Sequence, residues 1–558
     1  MNMKRNSILS VLASVFALAS VSFVITSCGE DDDLGAAPIV SVSPSALQDI
    51  PGATVSFDAT VTAPNGGQAL VFSGVTLASV PLNGQASQTV TVNYTIPANA
   101  VVGSTILIVV TAVDNSSLNS LPATVSVTVG DPKPVVTIQG NISAANNNWV
   151  ATNRYLLRGK VIVPDGVTLA IAPGTIIFGE KETEGTLVVN RGGKINAAGT
   201  AANPIVFTSN APKGFRNRGD WGGVVLLGRD YNSNGANALI EGLAGGAGSQ
   251  DGLYGPGEGD AIGNEDSGVL QYVRIEFAGI DLSQDNELNS LTMGSVGSAT
   301  DIDHIVVSFA NDDAYEWFGG SNDHKYLIAY STLDDDFDSD RGYIGRVQYG
   351  AIIREATIAD VSGSRAWESS SNSNATPPTV GGVSRHSKPV FANITVWGPL
   401  MFRSAAQIDG FYRAAVEVNT SNQLELYNSI ITGFPTSANF ATAGATVINN
   451  VFAANGGGQT ATGANIPASF ASDNTFEGDV TTIFGPFPSG STYNFNNLPV
   501  NQVATSPYIT GAPAIPAGSN ADGFFTAEAF YGAWGTTPGA GWNFGAGWIN
   551  LDPNNAEY

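Results

Sequence analysis

The chain has 558 residues, enough for two or three domains, and only 13% of them are charged, about half the share of roughly 25% usual in soluble domains. Its net charge of −25 repels nucleic acid and anionic headgroups and attracts cations, so no nucleic-acid partner is expected. The abundance of glycine, at 65 residues, argues against a mainly helical chain, and the single cysteine excludes an intrachain disulfide.

The first 27 residues have the parts of a signal peptide: basic Lys4 and Arg5, a mostly apolar run from Ile8 to Ile25, and small residues before Cys28. The flank that follows, Gly29-Glu30-Asp31-Asp32-Asp33, is acidic and lacks a basic stop-transfer signal. The sequence Ile25-Thr26-Ser27-Cys28 resembles a bacterial lipobox. That resemblance implies a lipid on Cys28, an acidic tether over residues 28–37, and a membrane partner reached through the lipid. The acidic run also resembles the export signal of Bacteroidetes surface lipoproteins, which implies an outer-membrane, surface-exposed location.

Residues 38–130 alternate apolar and polar positions in short runs such as Thr54-Val55-Ser56-Phe57 and Thr89-Val90-Thr91-Val92, separated by turns such as Asn83-Gly84. This rhythm predicts a β-sandwich of about seven strands. It resembles the Ig-like domains near the start of many Bacteroidetes surface proteins and is expected to act as a spacer. Residues 131–136, opening on Asp131-Pro132-Lys133-Pro134, read as a stiff linker.

From 137 to 558 the rhythm changes. Strands of a few residues recur with Gly, Pro, Asn or Asp at each corner, as in Leu169-Ala170-Ile171, Pro173-Gly174 and Thr175-Ile176-Ile177-Phe178. This is the pattern of a solenoid whose rungs bury their inward side chains on one another. Loop insertions interrupt it, the largest being the glycine-rich stretch from Asn232 to Gly268. Several motifs, among them Gly219-Asp220-Trp221-Gly222-Gly223, Asp312-Asp313-Ala314-Tyr315-Glu316-Trp317 and Asp335-Asp336-Phe337-Asp338, resemble those of right-handed parallel β-helix lipoproteins related in fold to pectate lyases. The resemblance implies an all-β chain, a sandwich followed by a right-handed parallel β-helix. It implies no particular activity.

Two acidic clusters follow strand-like segments. Asp312, Asp313 and Glu316 come after Ile305–Phe309, and Asp334, Asp335, Asp336, Asp338 and Asp340 after Tyr326–Tyr330. If these segments are successive rungs, the clusters share a corner about 4.8 Å apart. So many carboxylates repel unless a cation or protons intervene. Ca²⁺, which takes six to eight hard oxygens, is the cation expected. The alternative is solvated corner aspartates closing their own turns, with Arg341 and Arg346 neutralising part of the charge. His304 and His324 could stack near the same corner or serve the structure alone.

Trp221, Trp317, Trp367 and Trp397 stand at strand ends or in loops. They are candidates to stack on sugar rings, or to cap the core. Arg218-Gly219-Asp220 resembles an integrin-binding adhesion tripeptide, but it lies within the glycine-tryptophan turn and is read as a chance match. Three readings follow. The first is a surface-displayed binding or adhesion protein for polysaccharide or protein. The second is a polysaccharide lyase or glycoside hydrolase built on the acidic corner, with Arg341, Arg346, Arg354 or Arg365 available as a base. The third is a structural surface component. Catalysis is the weaker expectation, because no Gly-His-Gly, Arg-x-Lys, P-loop or zinc spacing is legible.

Overall fold

The computed structural model describes residues 35–130, 133–243, 251–257, 264–283, 286–372, 376–456, 461–486, 501–536 and 547–558. The leader, Cys28, the tether up to Leu34 and Asp131-Pro132 lie outside the described residues. No helix among the described residues is long and apolar enough to cross a membrane. The chain divides into two compact units, up to Pro132 and from Lys133.

In the first unit, strict alternation makes two small sheets. Strand Thr54–Thr62 buries Val55, Phe57, Ala59 and Val61 and exposes the residues between them. It pairs antiparallel with Ile39–Ser43 and Ser87–Thr95. On its solvent face, Thr54 bonds Thr95 at 2.9 Å and Ser56 donates to Asn93 at 2.7 Å. A five-stranded sheet built around Thr105–Asp114 and Ala123–Val129 supplies Ile108, Val110, Val125 and Val127 to the same core.

The second unit is a parallel β-helix, and its register shows why. Three stacks of strands run along it. In one, Val161, Leu187, Val224, Leu291, Tyr315, Phe337, Trp367, Val416 and Ala438 stand in register on successive rungs. All nine are buried in a single core. Each rung alone would leave its inward face wet, so the core exists only through stacking. The other two stacks are joined by a sharp bend, inside one strand on the earlier rungs and between two short strands on the last two. Tyr272, His304, Tyr326, Tyr349, Asn393, Asn428 and Asn449 occupy it on successive rungs, all with positive φ. Asparagine tolerates that conformation better than most residues. The aromatic members gain from stacking instead, with ring centroids 4.3, 4.2 and 5.0 Å apart from Tyr272 through His304 and Tyr326 to Tyr349.

The closing segment lies back over this edge. Trp548 packs its edge against Tyr272 and His304, and the Tyr558 hydroxyl donates to the buried carboxylate of Glu276 at 2.8 Å.

The Gly219–Gly223 motif is a structural corner. The Asp220 carboxylate, fully buried, accepts from Ser209 at 2.6 Å and pairs with Lys181 at 2.6 Å. A Cβ on Gly222 would collide with Thr186 Oγ1, and Gly223 has φ +114°. Gly222→Ala is therefore expected to cost about 1–3 kcal/mol by overpacking, measured by urea unfolding; an unchanged midpoint would remove the steric explanation. Arg218 also faces inward, donating to the carbonyl of Ser331 at 2.6 Å, so no adhesion tripeptide is displayed.

Candidate metal centre

Strand Asp301–Ser308 pairs in parallel with His324–Tyr330, and Tyr315–Phe318 with Phe337–Asp340. The two acidic turns are therefore neighbours at one corner, on successive rungs. Glu316 is in register with Asp338, Asp338 with Glu368, and Glu368 with Glu417, forming a column of carboxylates on the outer side of one stack. Beside it runs a second ladder. Asn289 Oδ1 accepts the Asp313 N–H at 3.1 Å, Asp313 Oδ1 accepts the Asp335 N–H at 2.8 Å, and Asp335 Oδ1 accepts the Arg365 N–H at 2.5 Å. Each side chain thus satisfies a backbone donor of the next rung, which fixes where the second oxygen of Asp313 and Asp335 lies.

The eight acidic residues expected at the corner divide into two sets. Asp335, Asp336 and Asp340 are answered by arginines. Arg365 Nη1 lies 3.4 Å from Asp335, Arg354 Nη1 3.1 Å from Asp336, and Arg341 Nε 3.0 Å from Asp340. The other five converge. Ligand oxygens of Asp312, Asp313 and Asp334 lie within 4.8 Å of one another, and so do those of Asp313, Glu316 and Asp338. Asp313 belongs to both groups. Oxygens on opposite sides of one Ca²⁺ are up to roughly 5 Å apart, so either group matches the reach of a single ion.

Several buried atoms point the same way. Asp334 Oδ1 and Asp338 Oδ1 have no hydrogen-bond partner. Nor does Oγ1 of Thr292, which is 1% exposed and in register with Glu316. Burial, then the neighbouring carboxylates, pushes Asp313, Glu316 and Asp338 well above the usual carboxylate range. Asp334 is raised to about 6, again chiefly by burial. Buried carboxylates without a cation hold protons instead. The donor set is all oxygen, which suits Ca²⁺ and not a thiolate- or imidazole-seeking metal. Asp312, Asp313, Glu316, Asp334 and Asp338 are the residues that would hold it.

Other sequence expectations are corrected. Trp221, Trp317, Trp367 and Trp397 are each 0% exposed and pack in the cores, so no ring face is open to a sugar. Arg346 serves Asp323 and Asp522 rather than the corner. His304 belongs to the aromatic bend. His324 accepts from the Trp317 indole at 2.9 Å in the core, where burial lowers its pKa to about 3. The candidate bases are engaged as well, Arg354 in its buried pair and Arg365 with Glu368 at 2.7 Å.

Three participants went unnoticed in the sequence. Glu368 and Glu417 extend the carboxylate column, and their signal was an acid directly after an inward apolar residue, as in Tyr315-Glu316, Phe337-Asp338, Trp367-Glu368 and Val416-Glu417. Glu241, from the large insertion, faces Glu316 and is raised to about 7 by burial and by Glu287. It lines a small cleft of about 210 Å³ with Tyr254, Phe318 and Arg341. No pattern in the sequence announced it.

These features define a parallel β-helix with a buried acidic corner. Residues 140–483 match the pectate-lyase-like beta helix domain, well over half of the chain, so the chain belongs to that family. No curated protein and no solved structure gave a match.

Proposed function

We propose that the protein is a binding scaffold displayed on the outer membrane by a lipid on Cys28. In this reading the first unit is an Ig-like spacer, and the β-helix, fastened by Ca²⁺ at its acidic corner, presents its loops to carbohydrate. The observation that carries it is the convergence of five carboxylates in two groups that share Asp313, without an arginine partner for Asp313 or Glu316 among the described residues. A cation there staples successive rungs and stiffens the corner from which the loops project. The engagement of the corner arginines favours binding over base catalysis.

The lyase or hydrolase reading has one observation in its favour. A carboxyl group with a pKa near 7 in a cleft, as at Glu241, is suited to general acid–base work. The experiment that separates the two incubates the purified protein with neutral and uronate-rich polysaccharides in Ca²⁺ or EDTA. Binding predicts retention without new chain ends. Release of reducing or unsaturated ends, abolished by Glu241→Gln, would replace the binding reading with the enzymatic one.

A further inference from the structure

The described residues of the large insertion after strand Gly223–Leu227 reach two places: Glu241 the acidic corner, and Asn237 and Asp251 a separate edge of the β-helix. There the turns of three successive rungs contribute Asp165, then Asn190 and Arg191, then Arg229, and the insertion adds Asn237 and Asp251. Together they line a cavity of about 420 Å³, within the range of roughly 300–1,000 Å³ typical of small-molecule sites.

The cavity is built rather than incidental. Arg191 Nη1 donates to Asn237 Oδ1 at 2.8 Å and to the Gly255 carbonyl at 2.9 Å, tying the insertion to the rung. Asn190 Nδ2 donates to Asp251 Oδ1 at 2.8 Å. Arg229 Nη2 lies 3.4 Å from Asp165 Oδ2. These two side chains meet across Gly192, where a Cβ would collide with Asp165 Oδ1 and come within 2.9 Å of Arg229 Nη2. Asn190 is 5% exposed, yet its Oδ1 has no hydrogen-bond partner. A buried acceptor left unmade costs about 1–3 kcal/mol; this oxygen is itself shielded from solvent, so the ligand contacts fall to Asp165 and Arg229.

The lining selects the ligand's chemistry. Its two carboxylates and two guanidiniums balance, so neither an anion nor a cation is favoured. Asp165 and Arg229 face each other at 3.4 Å, longer than a normal hydrogen bond, so Asp165 can still accept and Arg229 can still donate towards the cavity. A hydroxyl is both donor and acceptor. Adjacent hydroxyls on one ring can donate to Asp165 and accept from Arg229 together. We propose that this cavity binds a neutral, hydroxyl-rich sugar unit. The inference rests on the carbohydrate-binding reading above and gives it a site. A uronate would set its carboxylate against Asp165 and Asp251, and is expected to bind worse.

The test uses the purified protein and saturation-transfer NMR with neutral disaccharides of glucose, galactose and mannose, and with digalacturonate. At least one neutral disaccharide should bind, and digalacturonate should bind more weakly. Arg229→Ala and Asp165→Ala change half-exposed or exposed side chains that leave the core intact. Each should weaken the neutral sugar about tenfold or more, the loss of a charged hydrogen bond, with an unchanged thermal midpoint. Failure of all neutral disaccharides at about 10 mM, or binding unaffected by both variants, overturns the proposal. Polysaccharide retention by the wild type decides the broader reading separately: retention that survives both variants sinks this cavity and leaves carbohydrate binding standing.

Discussion

Replacing Arg354 with methionine is expected to destabilise the β-helix by about 3–5 kcal/mol, the cost of stranding one partner of a buried ion pair. Arg354 and Asp336 are both fully buried, with Nη1 3.1 Å from Oδ1. The same guanidinium also donates to the carbonyls of Asp334 at 2.7 Å and Leu333 at 3.3 Å and lies 5.2 Å over the Tyr412 ring. It therefore holds the backbone of the turn that presents Asp334 to the candidate cation. The loss should be read by urea unfolding followed through tryptophan fluorescence. Adding Asp336→Asn to Arg354→Met should recover more than about 1 kcal/mol, because it removes the stranded charge. If the double variant is as unstable as the sum of the singles, the pair is not what Arg354 contributes.

The second large effect is a Ca²⁺ dependence that grows with pH. The folded-state pKa values of Asp313, Glu316 and Asp338 are raised, so folding favours their protonated forms. For a carboxyl raised on folding, the folded state binds more protons than the unfolded one. Stability is then present below the unfolded value of about 4 and is lost as pH rises towards the folded value. Asp334 at about 6 and Glu241 at about 7 place much of that loss between about pH 4 and 7. Protein in EDTA should thus melt at a lower temperature at pH 7.5 than at pH 5.5. Ca²⁺ replaces the missing protons, and at a hundredfold excess over its Kd it should restore about 2.7 kcal/mol. Its effect should fade at pH 5, where protons occupy the same oxygens. A Ca²⁺ response equally large at pH 5 and 7.5 would place the ion elsewhere.

Much of this architecture was legible because solenoid packing is written locally. Short β-branched runs with Gly, Pro and Asn corners can bury their inward faces only by stacking, and the two acidic clusters landed on successive rungs because Ile305–Phe309 and Tyr326–Tyr330 are strands of equal phase. What the sequence left unread depends on which side of a strand a residue faces. Trp317 and Trp367 alternate with Glu316 and Glu368, so the rings point inward and the acids outward, the reverse of a sugar platform. Arginine assignment was equally hidden. Arg346 lies only six residues beyond Asp340 yet pairs with Asp522 from the closing segment at 2.5 Å, a contact between distant parts of the chain that spacing does not encode. Glu241 and the Asp165–Arg229 cavity depend on how a long insertion folds back, where no periodicity guides the reading.

The central claim, a cation held by carboxylates that share Asp313, has a test suggested by the molecule itself. One rung earlier, Asn289 occupies the place of Asp313 in the hydrogen-bonded ladder. Asp313→Asn should therefore keep the bond to the Asp335 N–H while removing one charge common to both ligand groups. The measurement is calorimetric titration of Ca²⁺ into wild type and Asp313→Asn at pH 7.5, with thermal midpoints in EDTA as the control for folding. The account predicts binding to the wild type, at least about tenfold weaker binding to the variant, and a variant midpoint in EDTA no lower than that of the wild type. No binding to the wild type at millimolar Ca²⁺, or equal affinity in both proteins, would contradict it.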